Sequence, residues 1–471
     1  MNFYGRKEQL KILQEMFGRR EMQTALICGR RRAGKTALVR QALKDADTDW
    51  IYHECRETTD YHNACSFSAV ISERLNCPKL AFDSMEEALD FVFRKSQERN
   101  LILVIDEYAF LRKAVPGCDR ILKALIDKYR ETSGLKLVIM GSQTDIMKSL
   151  PDSQPPLYDR FDRKINLNPM DYHEAALFYG NASSEDKVRF YSVFGGIPYY
   201  NTFIDPDLSV NDNIIALLSY AGIRLKTEVF RYLKAEFSKP ANALQILDAL
   251  AQGTQRFSEI LTSSGVSRSP TLADALDKLI RMDLVTRDTP INDPDNSRKA
   301  RYQIADPLFL FYFRYCFHHA SQLAMLDPRT FFSRYIADDF ENRYAPRAFA
   351  DICKQYLRRQ NRSGRTDGKI PGKFDNIGRY WHDCIKFSGS EHGYHRDREF
   401  EIVTRDPRGY IFYEAVFRKE PVTEDMIARE IEQFRVIMPG CYRYGFISRS
   451  GFQAAPAVDR IFISLDELYD E

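Results

Sequence analysis

The sequence has almost no net charge, and its cysteines and histidines form no metal-binding pattern. The 471 residues include 68 lysines and arginines against 66 aspartates and glutamates, a formal net charge of +2. This balance gives no general electrostatic argument for nucleic-acid binding, although a local basic patch is still allowed. The nine cysteines form no CxxC pair, and the eight histidines do not join them at zinc spacing. We therefore expect reduced thiols and no zinc site, with His392 and His395 at the surface.

The sequence also lacks a long apolar run. The N-terminal stretch MNFYGRKEQL has no apolar segment of the kind a secretory signal needs, and LFLFYF at 308–313 is far too short to cross a bilayer. These absences predict a cytoplasmic protein with no membrane partner. A hydrophobic fraction of 44% is typical of a folded globular chain, and the length predicts two to four domains.

Residues 1 to 170 alternate between strand and helix patterns. Short apolar runs of strand length are separated by stretches of helical periodicity. Such alternation predicts an α/β fold, with a parallel sheet covered by helices on both faces. The predicted strands are TALIC (24–28), WIYHEC (50–55), LILVI (101–105) and KLVIM (136–140).

The middle of the chain has shorter elements. Helical patterns cover 241–251 and 256–263, and a third helix is predicted to begin near Pro270 with Ser269 as its N-cap. Two strand-like pieces follow around a loop rich in Pro, Asp and Asn. Three helices followed by a hairpin form a winged-helix pattern. After a loop at 364–376, EFEIV (399–403), YIFYEAVF (410–417), a helix near 423–438 and two more strands predict an α/β tail.

Residues 29–36 read GRRRAGKT, and this loop follows an apolar strand and opens a helix. The spacing of Gly29, Gly34, Lys35 and Thr36 is that of a phosphate-binding loop for ATP, in the strand–loop–helix context it requires. Lys35 is predicted to reach the β- and γ-phosphates, and the Thr36 hydroxyl to bind Mg²⁺. We also expect phosphate contacts from the neighbouring residues Arg30, Arg31, Arg32, Ala33 and Ala37.

LILVIDE at 101–107 supplies the acidic partner of this loop. Asp106 ends an apolar strand and is predicted to hold the Mg²⁺ shell, while Glu107 suits the polarisation of an attacking water as general base. One strand later, Ser142 and Gln143 end KLVIM. A polar group at that point suits a sensor of the γ-phosphate, although strand ends are normally polar.

Six motifs occur in an order that resembles a known family. They are FYGRKEQL, GRRRAGKTALV, LILVIDEYAFL, LVIMGSQTDIM, PPLYDRFDRKINLNPM and FGGIPYYN. Over the first 235 residues the chain resembles the predominantly archaeal ATPases, AAA-like and STAND-related P-loop NTPases. The resemblance implies that Gly5 and Arg6 lie near the adenine and that Pro198 lies against the nucleotide from a helical lid. It makes Arg160 an arginine finger or sensor, with a surface arginine as the alternative.

The tail resembles a domain with the PD-(D/E)xK restriction-endonuclease fold. The motifs that carry this resemblance are ADPLFLFYFRYCF, DDFENRYAPRAF, IGRYWHD, EFEIVTRD and YIFYEAVFRKEPVT. It implies that Glu341, Glu401 and Glu414 correspond to the three metal-site acids of such nucleases. Val416 stands at the position of the lysine that orients water, so a dead or weakened nuclease is expected. Lys419, three residues further along a strand, points to the other face.

Together these patterns predict three domains: an ATPase core with a helical lid (1–235), a winged helix (236–306) and a nuclease-like tail (307–471). The third helix of the winged-helix pattern could contact DNA through Arg268, Lys278 and Arg281, and the hairpin through Arg298, Lys299 and Arg301. Asp274 and Asp277 on the same helix would repel phosphates, which favours an interdomain or protein-binding role. We expect an ATP-hydrolysing switch that uses Mg²⁺, an unidentified protein partner and, for an arginine acting in trans, an oligomer. The alternatives are an ATP-regulated DNA nuclease and a DNA-binding regulator.

Overall fold

The computed structural model describes most of the chain, in two compact units. The described residues are 3–142, 147, 150, 156–237, 239–364, 369–370, 372–382, 398–437 and 440–470. The N-terminal unit comprises residues 1–170 and 197–199, and the C-terminal unit comprises residues 171–196 and 200–471. Gln143, His392, His395 and part of the predicted loop 364–376 lie outside the described residues.

Five described strands form a parallel sheet in the N-terminal unit. They are β1 Gln23–Gly29, β2 Asp49–Glu54, β3 Leu101–Asp106, β4 Lys136–Ser142 and β5 Arg163–Leu167. Their spatial order is β2-β3-β4-β1-β5, and every neighbouring pair is parallel. β3 is buried along its whole length, as its continuous apolar sequence requires. The first four strands match the predicted ones, whereas β5 was not predicted.

Helices cover both faces of this sheet. Leu103 of β3 packs in one hydrophobic cluster and its neighbour Val104 packs in another, because successive side chains of a strand point to opposite faces. The first cluster includes α3 to α6, and the second includes α1 and α2. This arrangement confirms the predicted α/β class. The helices are α1 Lys7–Phe17, α2 Lys35–Lys44, α3 Asp60–Arg74, α4 Met85–Glu98, α5 Tyr108–Ala114 and α6 Cys118–Tyr129.

The first part of the C-terminal unit is helical. Its helices up to the first strand are α7 Tyr172–Ala175, α8 Ser184–Phe194, α9 Pro198–Asn201, α10 Val210–Glu236, α11 Pro240–Ala251, α12 Phe257–Ser263 and α13 Ser269–Arg281. α9 begins in the N-terminal unit and ends in the C-terminal one. The N-cap of α13 is Arg268, so the prediction of Ser269 as the cap was wrong by one residue. Ser269 and Pro270 instead occupy the first turn, where the missing N–H of proline costs no hydrogen bond.

An antiparallel pair follows, β6 Val285–Asp288 and β7 Arg301–Ile304. More helices then lead to the second large sheet: α14 Pro307–Phe311, α15 Ala320–Met325, α16 Pro328–Tyr335, α17 Ala337–Asp339 and α18 Ala345–Ser363. Short 3-10 or π turns cover Ala176–Phe178, Ser297–Lys299, Tyr312–Phe317, Phe340–Tyr344 and Asp466–Leu468.

The second sheet has the spatial order β14-β12-β10-β9-β8. β10, β12 and β14 are parallel, whereas β8 and β9 are antiparallel additions at one edge. The helix α19 Glu424–Ile437 connects β10 to β12, as a parallel connection requires. The strands are β8 Asn376–His382, β9 Arg398–Asp406, β10 Gly409–Val416, β12 Cys441–Ser448 and β14 Arg460–Ser464, with a small pair β11 Val422–Thr423 and β13 Phe452–Gln453.

Two further expectations concern the division into domains and the absence of a membrane-spanning segment. The division into three domains at 1–235, 236–306 and 307–471 stays a prediction. Within the part of the chain that the structure describes, we find no helix with the length and apolar character needed to cross a lipid bilayer.

Candidate nucleotide-binding site

The predicted phosphate-binding loop joins β1 to α2 at the carboxyl edge of the first sheet. Gly29 ends β1 against Leu167 of β5, where a side chain at position 29 would lie 2.8 Å from the leucine Cβ. Gly34 has φ +94°, a backbone angle that favours glycine, and it is the N-cap of α2. The first N–H groups of α2 have no partner within the helix, so they point toward the loop as donors for an anion.

Lys35 places its ammonium group inside this loop. Its Nζ donates to the carbonyl oxygens of Gly29 at 2.9 Å and Arg30 at 3.2 Å. Burial lowers the pKa of Lys35, and the nearby carboxylates of Glu107 and Asp106 oppose that shift. The buried cation is thus held by loop carbonyls at the place where phosphate oxygens would supply stronger, charged partners.

Thr36 and Asp106 lie together, as the predicted Mg²⁺ site requires. The Thr36 hydroxyl donates to Asp106 Oδ2 at 3.3 Å, and the Tyr52 hydroxyl of β2 donates to the same oxygen. Burial and the hydrogen bond to Asp106 raise the pKa of Tyr52, so the phenol stays protonated as a donor. A hydroxyl beside a carboxylate is an oxygen donor set suited to Mg²⁺. Tyr52 was missed by the sequence reasoning, because a tyrosine in a strand looks like an ordinary core residue.

Glu107 follows Asp106 in an unusual backbone conformation. Its φ is +50°, which is uncommon for any residue other than glycine and is often found at functional sites. Ser142 Oγ, at the end of β4, lies 3.2 Å from Glu107 Oε1 and donates to it. The structure therefore brings the predicted base and the predicted sensor together at the strand ends.

Three residues implied by the family resemblance also lie at this edge. Arg6 is buried, and its Nη2 donates to the carbonyl of Asn168 at 2.5 Å, directly after β5, the strand that pairs with Gly29. Gly5 precedes it with φ +65°. Pro198 Cγ lies 3.7 Å from the point where a Cβ on Gly34 would stand.

The other residues of the loop differ in their exposure to solvent. Arg30 and Ala33 are buried, whereas Arg31 and Ala37 are exposed. The guanidinium of Arg32 lies 4.0 Å from the centre of the Tyr199 ring, a cation–π contact next to Pro198. Through this contact the loop touches the segment 197–199 a second time.

Arg160 is not brought to the loop within this chain. Its Nε lies 2.6 Å from Asp127 Oδ1, and its carbonyl accepts a hydrogen bond from the Thr24 hydroxyl at 2.5 Å. Thr24 lies at the start of β1, and a strand rises about 3.3 Å per residue, so Gly29 is roughly 16 Å away. An arginine side chain does not span that distance. Only a role of Arg160 toward a neighbouring molecule stays open as a prediction.

The three acids assigned to the nuclease-like tail are not gathered into one site. Glu341 is bound by Arg189 of α8, with Nε 3.0 Å from Oε1. Glu414 of β10 is instead near Glu430 and Glu401. Burial, followed by the charges of those two carboxylates, raises the pKa of Glu414 to about 7. Among the residues the structure describes, no three His, Cys, Asp or Glu side chains are grouped so that they could hold a metal ion.

The loop between β6 and β7 is attached to the second sheet. Ile291 N donates to the carbonyl of Arg379 at 2.7 Å, and Asn292 exchanges two hydrogen bonds with the backbone of Trp381. Ile291 is also part of the hydrophobic cluster of that sheet. The guanidinium of Arg301, which the sequence offered to DNA, lies 4.7 Å from the centre of the Trp381 ring.

The residues predicted to contact DNA from α13 are on its exposed side. Arg268 and Arg281 are exposed, and so are Asp274 and Asp277. The Lys278 ammonium lies 5.0 Å from the centre of the Phe237 ring. In the β6–β7 loop, Lys299 forms an ion pair with Asp293 at 3.2 Å. The face therefore presents both signs of charge.

Comparisons with known proteins identify two families. Residues 3–201 match a family described as an ATPase domain predominantly from Archaea, and residues 312–430 match one described as archaeal and bacterial proteins of unknown function. An uncharacterized protein of Methanocaldococcus jannaschii is 29% identical over 382 residues, covering 81% of this chain and 82% of that protein.

A Walker-type ATPase of Pyrococcus abyssi aligns with a TM-score of 0.51 and 20% identity, covering 66% of this chain and 96% of that one. This likeness supports a shared fold. Residues 3–201 of this chain are therefore similar to the ATPase domains of the predominantly archaeal family, and residues 312–430 are similar to a second family, of archaeal and bacterial proteins, whose function is unknown.

Proposed function

We propose that the chain is an ATP-hydrolysing switch, in which the nucleotide controls the C-terminal unit. The observation that carries this proposal is the course of the chain around Pro198. Residues 197–199 belong to the N-terminal unit, beside Gly34, although the chain on both sides of them belongs to the C-terminal unit. A change in the loop on binding or losing a γ-phosphate would therefore act on a segment that is continuous with α8.

The chemistry follows from the side chains at the strand ends. ATP would lie with its phosphates along the loop, where Lys35 and the first N–H groups of α2 stabilise negative charge. Glu107 would accept the proton of the attacking water, and Ser142, now its hydrogen-bond donor, would sense the γ-phosphate. Thr36 and Asp106 would hold a Mg²⁺ ion, which neutralises charge that develops on the phosphate oxygens.

The ion pairs of α8 support a path from this segment into the rest of the C-terminal unit. Glu185 pairs with Arg449, the residue just after β12, and Arg189 pairs with Glu341. Phe417, just past β10, has the guanidinium of Arg449 4.9 Å from its ring centre and that of Arg189 5.8 Å away. A shift of α8 would thus move residues that follow the carboxyl ends of β10 and β12 in the second sheet.

We interpret α11, α12, α13 and the β6–β7 hairpin as a winged helix that works inside the molecule. Its loop is hydrogen-bonded to β8, and Arg301 rests on Trp381. These contacts favour an interdomain role over duplex reading, because a DNA-binding wing needs its basic residues free for phosphates. For the nuclease alternative, Val416 and the engagement of Glu341 by Arg189 both count against a working metal site.

The first experiment is phosphate release at saturating ATP and Mg²⁺, with and without duplex DNA. We expect Glu107→Gln to lose at least about 100-fold in turnover while still binding ATP, as loss of a general base predicts. Glu131→Gln, an exposed acid just after α6, is the matched control and should match the wild type. If Glu107→Gln turns over normally, the base assignment fails. If duplex DNA stimulates hydrolysis several-fold, the nucleotide serves nucleic-acid work.

The second experiment tests the switch itself. Hydrogen exchange of α8 and residues 195–201 is compared between chains saturated with ADP and chains saturated with a non-hydrolysable ATP analogue. We expect different protection in the two states, because the proposal couples the loop to this segment. Identical exchange with both nucleotides would contradict the switch even if hydrolysis is confirmed.

A further inference from the structure

The C-terminal unit contains a partly enclosed cavity of about 330 Å³. Most of its walls come from the β6–β7 pair, the end of α8 and one face of α18, and α14, Tyr344 and Gly378 of β8 complete them. The cavity volume lies at the lower end of the range for small-molecule sites. None of the residues assigned to nucleotide binding lines it.

Four cationic side chains line the cavity: Arg287, Arg347, Lys354 and Arg358. The last three lie on α18 at spacings of seven and four residues, which places them on one face of a helix. Two acids, Asp288 and Asp351, also line the cavity, so cations outnumber carboxylates by two.

Both acids are already engaged in ion pairs. Asp288 Oδ2 lies 2.8 Å from Arg379 Nε, and Asp351 Oδ1 lies 3.2 Å from Lys354 Nζ. Within the described part of the chain, Arg287, Arg347 and Arg358 form no ion pair with a carboxylate. Three of the arginines that line this concave space therefore have no carboxylate partner among the described residues.

The neutral lining adds a further donor group, on Gln355. Gln355 Oε1 accepts hydrogen bonds from Tyr172 N at 3.0 Å and from the Tyr191 hydroxyl at 3.2 Å. Gln355 lines the cavity, and with its oxygen so occupied its NH₂ is the part of the amide left to donate to a ligand. The cavity thus combines excess positive charge with a neutral hydrogen-bond donor, which is the chemistry that recognises an anion.

We propose that this basic cavity binds a small phosphate-bearing molecule. Guanidinium groups bind phosphate through two parallel charge-assisted hydrogen bonds, which makes arginine the preferred residue for this anion. A concave site closed by several elements suits a small ligand, whereas duplex DNA is read by convex elements that enter a groove. The ligand would join the hairpin, α8 and α18.

This placement would make the ligand a second input to the molecule, separate from ATP. Tyr191 and Ser192 line the cavity on α8, and the chain reaches Pro198 only six residues later. Two ligands that act on one movable element change each other's affinity by the same factor. Binding itself does not depend on hydrolysis, so it can be tested even if the switch proposal fails.

The test is calorimetric titration of the full chain with inorganic pyrophosphate. The phosphate-binding loop is first saturated with a non-hydrolysable ATP analogue, with Mg²⁺ in excess of both anions, so that the probe cannot bind there. We expect one site in the wild type and an affinity at least about tenfold weaker in Arg347→Ala and in Arg358→Ala, the effect of losing one charge-assisted contact. Arg362→Ala is the matched control, since it is exposed on the same helix and does not line the cavity.

Each possible result decides the proposal. Binding that weakens in the two cavity variants and not in Arg362→Ala supports it. Absence of binding to the folded wild type, or binding that is unchanged in both cavity variants, overturns it. Equal weakening in all three variants also overturns it, because that pattern indicates diffuse attraction to a basic helix. A 5′-phosphorylated single-stranded oligonucleotide is titrated in parallel. If it binds more tightly than pyrophosphate with the same arginine dependence, the occupant is a nucleic-acid strand and not a small molecule.

Discussion

The guanidinium of Arg189 and the carboxylate of Glu341 form a two-bond ion pair, with Nε 3.0 Å from Oε1 and Nη2 3.1 Å from Oε2. The Arg189 side chain is only 12% exposed, and it also contacts Glu185 and Asp186 on its own helix. The position that the nuclease resemblance assigns to a metal ligand is therefore used to hold α8.

This ion pair should be measurable as a coupling energy. In a double-mutant cycle of Arg189→Ala and Glu341→Ala, we expect urea unfolding to report a coupling of about 1–2 kcal/mol, more than exposed pairs give. Arg189→Ala alone should cost more than Glu341→Ala, because it leaves three carboxylates without their shared cation. Arg343→Ala is the control: its side chain is 80% exposed and lies 4.0 Å from Asp339, so no measurable change is expected. A coupling near zero would show that α8 is not held through this pair.

Removal of the Tyr52 hydroxyl should weaken the affinity for Mg²⁺ and leave the affinity for ATP without Mg²⁺ unchanged. Tyr52 donates to Asp106, so Tyr52→Phe removes a group that orients the predicted metal ligand. Such supporting partners typically cost 10- to 100-fold in metal affinity when removed, so we expect the Mg²⁺ concentration for half-maximal phosphate release to rise by about tenfold.

The control for this prediction is Tyr158→Phe, which removes the hydroxyl of an exposed tyrosine in the same unit. Nucleotide binding without Mg²⁺ should be the same in both variants. An unchanged Mg²⁺ dependence in Tyr52→Phe would mean that Asp106 is oriented without help from β2.

Glu414 should make the chain less stable as the pH rises. Burial, with added repulsion from Glu430 and Glu401, raises the pKa of Glu414 from 4.5 to about 7. Between these two values the folded state holds a proton that the unfolded state has released. The free energy of unfolding therefore falls as the pH rises through this window, by at most about 3 kcal/mol.

Glu414→Gln should abolish this decline, as followed by urea unfolding from pH 4.5 to pH 8. The change keeps the shape of the side chain and removes its ionisation. Glu420→Gln, six residues further on and exposed, should retain the decline seen in the wild type. A parallel pH profile for wild type and Glu414→Gln would indicate that Glu414 ionises without penalty.

Local sequence patterns predicted the strand, loop and helix of the candidate nucleotide site. An apolar run that ends in a glycine loop specifies strand, turn and helix over a few residues, so Gly29, Gly34, Lys35 and Thr36 are found where expected. β5 was missed because RKINL is short and half polar, as an edge strand with one exposed side often is.

Contacts between residues far apart in the sequence could not be predicted from such local patterns. Tyr52 and Asp106 are 54 residues apart, and Arg189 and Glu341 are 152 apart. A tyrosine in a strand or an arginine on a helix carries no local sign of its partner, since only the packed topology creates the pair. The same holds for Asn292, whose hydrogen bonds to Trp381 attach the loop between β6 and β7 to β8.

The course of the chain through residues 197–199 has a consequence for how the protein is made. The N-terminal unit includes these three residues, so it cannot be finished when residue 170 leaves the ribosome. Synthesis proceeds at roughly 5–20 residues per second, so α7 and α8 emerge before the segment that completes the first unit. The N-terminal unit can therefore be completed only after α7 and α8 of the C-terminal unit have been synthesised, and the folding of the two units overlaps in time.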